Sequence, residues 1–232
     1  MVLLATPFPN PLEQVNATLW TFVPFLLAIA AVILVLTYIR FRWLPKWKGG
    51  LGEWAVNRAL LDQLDPLHYH VLADLLLPDG HGELTQIDHV VVSPFGVFVI
   101  ETKNWDCWIF GTEKDRQWTL KYRRGRKVAT QNPLHQNAKH VRVICEWLQI
   151  KPEHCHNLVF INPVSTLKTG PVAGVFLRGM PGHILSFNVP VFHPDWPTQA
   201  RDVLKAASKS NDKAARAEHL EYVKSIRERR HA

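Results

Sequence analysis

From Ala17 to Ile39 the chain reads ATLWTFVPFLLAIAAVILVLTYI, an apolar run without a charged residue. At about 1.5 Å per residue a helix over this run spans roughly 34 Å, enough to cross a bilayer. A cleaved signal peptide expects a basic stretch before a shorter apolar core, and the leading MVLLATPFPNPLEQVN holds no Lys or Arg. A buried core helix is rarely so long and so free of charge. Arg40, Arg42, Lys46 and Lys48 follow the run, with Trp43 and Trp47 between them. The positive-inside rule then places the N-terminus outside and everything after Arg40 in the cytoplasm. The expected order is a short head over 1–16, one transmembrane helix over 17–39 in the cell (inner) membrane, and a basic juxtamembrane linker over 40–49 that runs out at the Gly49-Gly50 pair.

The pattern then changes. Val56, Ala59, Leu60 and Leu64 recur at helical spacing within Gly52 to Asp65, and Pro66 stops the helix. Tyr69 to Leu77 reads as a strand, and PDGHGE supplies a turn before LTQIDHVVVS, SPFG and GVFVIETKNW. Trp108 to Gly111 and Gln117 to Tyr122 suit a further β-pair. From Asn132, Leu134, Ala138, Val141, Ile144 and Leu148 fall on one helical stripe. Leu158 to Ile161 reads as a buried strand, Val172 to Phe187 as two short strands, and helical patterns start at Thr198 and Asp212. Helix, three strands, helix, strand is an α/β arrangement. It occupies 50–190, with a basic helical tail over 191–232.

The length of 232 residues suits one domain plus the anchor. Net charge is +7, and only Glu13 and Arg40 lie before residue 41, so the soluble part carries the whole excess. That balance favours phosphate-rich partners or an anionic surface. Cys107, Cys145 and Cys155 form neither a disulfide framework nor a zinc spacing. The triplet His154-Cys155-His156 points its side chains in different directions and lacks a fourth ligand at a usual spacing. Free thiols suit a reducing compartment.

The four-residue turn Ser93 to Gly96 sets the register of a symmetric hairpin in which Asp88 faces Glu101 and Gln86 faces Lys103. Strand alternation puts all four on one face with Val90, Val92, Val97 and Val99. Two carboxylates opposed at about 5 Å between Cβ atoms repel, and a divalent cation between them removes that cost. Oxygen ligands of this kind suit magnesium, with manganese as the substitute, and such an ion activates water and neutralises a phosphoryl oxygen. Lys103 is placed to support developing negative charge, and Glu53, one turn before Val56, points toward whatever its helix packs on. The alternatives are a diagonal Asp88–Lys103 ion pair with Glu101 solvated, and a first-turn Glu53 that only favours the helix dipole. His89 projects to the opposite face, as a packed histidine. Lys121, Arg123, Arg124, Arg126 and Lys127, beside Trp118 and Tyr122, suit phosphate contacts or a solvated turn.

The words GEWAVNRAL, TQIDHVVVSPFGVFVIETKNW and NPLHQNAKH, in this order, resemble the nuclease-related domain (NERD), a group similar to the PD-(D/E)xK phosphodiesterases. The resemblance covers roughly Gly50 to Phe160. It implies a restriction-endonuclease-like α/β core in which Glu53, Asp88, Glu101 and Lys103 match the active-site positions, with Gln86 beside them. Cys107 stands where the pattern usually has Gly, so the turn after Trp105 is expected to differ. The implied activity is magnesium-dependent hydrolysis of DNA or RNA on the cytoplasmic side of the membrane. The alternative is a catalytically silent module that holds nucleic acid or protein there.

Overall fold

The computed structural model describes residues 11–42 and 44–229. The chain divides between Lys48 and Gly49 into two compact units. In the first, helix α1 (Pro11–Arg42) contains the apolar run. Its side chains are described from Phe22 to Tyr38, and the large apolar ones are mostly exposed, Leu34 by 69%. Among the described residues no helix is long and apolar enough to cross a membrane. The expected span over 17–39 includes side chains at 17–21 and at 39 that lie outside the described residues.

Helix α2 (Leu44–Gln63) runs through Gly49 and Gly50, where a linker was expected. It leads into a five-stranded sheet ordered β1-β2-β3-β7-β9. Strands β1 (His70–Pro78), β2 (Leu84–Ser93) and β3 (Gly96–Lys103) are the expected antiparallel trio. The sheet then continues with two parallel additions, β7 (Cys155–Ile161) and β9 (Val175–Phe176). Such additions need crossovers, and helix α3 (Pro133–Leu148) lies in the first of them. A second sheet, ordered β6-β5-β4-β8, is built from β4 (Trp108–Phe110), β5 (Gln117–Lys121), β6 (Lys127–Gln131) and β8 (Thr166–Leu167). Helix α4 (Met180–Leu185) takes the place of the second short strand expected before Phe187. Helices α5 (Trp196–Ala207) and α6 (Lys213–Arg229) close the chain where helical patterns were expected.

The alternation of β2 and β3 sorts the layers. Val90, Val92, Val97 and Val99 join Val143 and Ile144 of α3 and Leu204 of α5 in one core cluster. Val91, Phe98 and Ile100 join Val56 and Leu60 of α2, Leu64 just after it and Ile184 of α4 in another, on the opposite face. The sheet is therefore buried on both sides, which is why its central strands read as nearly continuous apolar runs. A third cluster packs Ile109, Trp118 and Leu120 of the second sheet on Val159 and Ile161 of β7. Gly111 belongs there by necessity, because a Cβ at this position would lie 2.2 Å from the Trp118 ring. Cys107 is buried in the same cluster, so β4 still forms immediately after it.

Candidate active site at the fork of β2 and β3

The β2–β3 ladder runs from Ser93↔Gly96 to His89↔Ile100, the register expected around the SPFG turn. Beyond it the strands part. Thr102 donates its backbone N–H to Asp88 Oδ2 at 2.8 Å in place of a ladder bond, while on its other edge β3 stays paired with β7 from Val97↔Cys155 to Lys103↔Ile161. On the other side, the β1–β2 ladder passes from Ala73↔His89 to Leu75↔Ile87, and between them Asp74 turns to φ 55°. Asp88 therefore falls where pairing is interrupted on both sides, on the α3 face of the sheet.

Glu101 is buried. Its Oε1 accepts from Lys103 Nζ at 2.5 Å and from Gln136 Nε2 at 2.8 Å, while Gln136 Oε1 accepts from the same ammonium at 3.0 Å. The three side chains close a triangle of hydrogen bonds. The other carboxylate oxygen, Oε2, lies 3.4 Å from His140 Nδ1, and neither atom has a hydrogen-bond partner among the described residues. Lys103 thus pairs with Glu101 and not with Asp88, and Glu101 is not solvated as the diagonal alternative required. Burial, then the charge of Glu101, pushes the Asp88 carboxyl up to about 7, against the Thr102 N–H, which pulls the other way. Burial also pulls the His140 imidazole down from its ordinary value.

Glu53 reaches this end of the sheet from α2, on the opposite layer. Gly52 allows the approach, since a Cβ there would stand 3.1 Å from that of Asn104. The Glu53 carboxyl is raised first by burial and then by the charges of Asp74 and Glu101, which places it within electrostatic reach of the cluster. His89 is buried on the α2 face as expected, near the backbone of Glu53, and burial pulls it down to about 4. Gln86 departs from the expectation. Where the ladder has opened it no longer faces Lys103, and its amide donates to Asp74 Oδ1 at 2.9 Å. Among the described residues no group of three or more His, Cys, Asp or Glu side chains is disposed to hold a metal ion.

Gln136 and His140 went unassigned in the sequence, although both stand within or beside the word NPLHQNAKH. In the fold, four polar residues of that word hold α3 and the carboxylates in place. Asn132 caps α3 by accepting the Leu134 N–H at 2.9 Å, and Pro133 sits at the first helical position, where its missing N–H costs nothing. Asn137, fully buried, donates to Val99 O at 2.8 Å, Asn157 Oδ1 at 2.8 Å and Leu158 O at 3.0 Å, clamping the helix to β3 and β7. Gln136 and His140 then meet Glu101 from the same helix. The polar residues at 136, 137 and 140 face the sheet, which the apolar stripe alone does not reveal. Asp74 was also missed; it accepts from Arg216 of α6 at 2.6 Å.

The basic residues lie on the β5–β6 hairpin of the second sheet. Tyr122 N–H to Arg126 O and Gly125 N–H to Tyr122 O, both 2.9 Å, tighten the turn. Arg123, Arg124, Arg126 and Lys127 are exposed. Lys121 Nζ lies 5.3 Å and Lys168 Nζ 4.7 Å from the centroid of the half-exposed Trp108 ring. A cleft of about 490 Å³ beside them is lined by Trp108, Lys121, Tyr122 and Arg123.

Residues 48–162 match the family model described as nuclease-related domain. An uncharacterized protein of Bacillus anthracis is 40% identical over 164 residues, covering 71% of this chain and 74% of the relative. No solved structure matches the chain significantly.

Proposed function

From the premise that this chain belongs to the nuclease-related domain family, we propose that it is a metal-dependent phosphodiesterase acting on nucleic acid, tethered to the inner membrane through 17–39 with its catalytic domain in the cytoplasm. The observation that carries this reading is the pairing of Asp88, raised to about 7 by burial and by Glu101, with a buried Glu101 whose Oε2 has no hydrogen-bond donor among the described residues. A protein that only needed a stable sheet gains nothing from two such acids at its fork.

The donor set fits a hard divalent cation. The Glu101 Oε2 and the Asp88 carboxylate are the oxygen ligands that magnesium or manganese takes, with waters completing the shell, because no third such side chain is grouped with them among the described residues. Bound there, such an ion supplies polarisation of a phosphoryl oxygen and a lowered pKa for a water molecule. The rest of the chemistry belongs to the chain. The Lys103 ammonium, held by Glu101 and Gln136, is a fixed positive charge for the phosphoryl oxygens as negative charge develops. Gln136 holds the Glu101 carboxylate and the Lys103 ammonium in one orientation. His140, kept neutral by burial, backs the carboxylate without competing for it. The exposed arginines of the β5–β6 hairpin and the Trp108 cleft provide phosphate contacts and an aromatic surface for nucleic acid, DNA or RNA.

The Lys103–Glu101 ion pair favours a second reading, a silent binding module in which lysine already balances the carboxylate. Titration calorimetry with magnesium and manganese separates the two. The enzyme reading predicts binding heat that Asp88→Asn abolishes. Absence of binding heat, with salt-sensitive nucleic-acid affinity retained, selects the silent module.

A further inference from the structure

Two of the three cysteines meet inside the domain, away from the carboxylates. Cys145 lies in the last turns of α3, and Cys155 is the first residue of β7, after the short 3₁₀ turn Pro152–His154. Their Sγ atoms are 2.8 Å apart, and both side chains are buried. They are not equivalent. Cys145 lines a surface cleft of about 320 Å³ together with Val141, Arg142, Glu146, Ile150 and Pro152, and Cys155 is not among its lining residues. Cys107 sits in a different cluster, beside Ser165.

We propose that Cys145 and Cys155 form a dithiol modification site, in which Cys145 reacts with a low-molecular-weight disulfide entering through the cleft and Cys155 converts the adduct into an intramolecular disulfide between α3 and β7. In the first step the Cys145 thiolate attacks one sulfur of the reagent RS–SR. A Cys145–S–SR bond forms and RS⁻ leaves, taking up the proton that Cys145 gave up. In the second step the Cys155 thiolate attacks Cys145 Sγ, the Cys145–SR bond breaks, and the second RS⁻ leaves with the Cys155 proton. Two thiols of the protein are oxidised and one reagent disulfide is reduced to two RSH. The hydrogen bond between the thiols holds Cys145 below the ordinary cysteine range and pushes Cys155 up, which fits Cys145 as the attacking group. Because α3 also carries Gln136 and His140, the new bond would fasten the helix of the candidate site to the strand beside β3.

The test uses the purified full chain, reduced and then equilibrated with mixtures of oxidised and reduced glutathione. Alkylation of remaining thiols, intact mass and peptide mapping follow. Expected in the oxidising mixture is a single alkyl group, on Cys107, with a cross-linked peptide joining Cys145 and Cys155 and loss of two hydrogens from the protein mass. Cys155→Ser retains glutathione on Cys145, and Cys145→Ser carries none on Cys155. The proposal is overturned if the wild-type chain alkylates at all three cysteines in the oxidising mixture, or if glutathione stays on Cys145 without closing the disulfide. The wild-type map decides even if a variant fails to fold, and it does not depend on nuclease activity.

Discussion

Asp88→Asn is expected to stabilise the metal-free protein. In the folded chain the Asp88 carboxyl rises from 3.8 to about 7, through burial first and the charge of Glu101 second. An acid whose pKa is higher folded than unfolded binds more protons in the folded state, so its contribution to stability falls as pH rises from about 4 to 7 and stays lost above that. At about 1.4 kcal/mol per pH unit, the rise from 3.8 to about 7 amounts to about 4 kcal/mol. Asparagine keeps the volume and the acceptor for the Thr102 N–H but carries no charge. At pH 8 the variant should therefore be about 2–4 kcal/mol more stable, a Tm increase of roughly 5–15 °C for a domain of this size. Circular-dichroism melts of both proteins in chelator, from pH 4 to 8.5, provide the assay. The gap should be small near pH 4 and full above pH 7. A variant no more stable than wild type at pH 8, or a gap independent of pH, would refute the reasoning.

Further outcomes follow from other parts of the fold. Asn137→Ala removes the clamp from α3 to the backbone of β3 and β7 and leaves Val99 O and Leu158 O without that donor, so denaturant unfolding should show a loss of about 2–4 kcal/mol; a loss below about 0.5 kcal/mol would mean that the clamp contributes little. Neutralising Arg123, Arg124 and Arg126 together should weaken nucleic-acid binding and flatten its salt dependence by a log–log slope of about 2–3, and an unchanged slope would make the hairpin a solvated turn. A fluorescent reporter that matures only in the cytoplasm, fused after residue 232, should fluoresce, whereas activity from a reporter that works only outside the cytoplasm would reverse the proposed topology.

How far the sequence carried depends on whether a signal was local. The SPFG turn dictated the hairpin register down to His89↔Ile100, and with it the shared face of Asp88 and Glu101. The opening of the ladder beyond that point was not legible, because it depends on the Asp88 side chain capturing the Thr102 N–H. Gln86 was misplaced for this reason. The second parallel neighbour, β9, falls within Val172 to Phe187, where two short strands were expected, but two residues carry no signal of the partner they pair with. Helix α3 was legible as a helix, but the expected stripe through Ala138 and Val141 missed that polar Asn137 and His140 are buried. Their neighbours are backbone carbonyls and a carboxylate distant in sequence, which a hydropathy pattern does not contain. Cys145 and Cys155 likewise looked unrelated, since a helix end and a strand start bring them together.

Whether Asp88, Glu101 and Lys103 form a working phosphodiesterase centre is decided by cleavage of labelled single- and double-stranded DNA and RNA. Wild-type protein in magnesium should be compared with Glu101→Gln under identical conditions, the variant first shown to be folded. Glutamine keeps an acceptor for Lys103 but loses the carboxylate charge, so the account predicts cleavage by wild type, none in chelator, and a rate at least about 100-fold lower in the variant. Equal cleavage by the two proteins, or no cleavage of any substrate by wild type that binds magnesium, would contradict it.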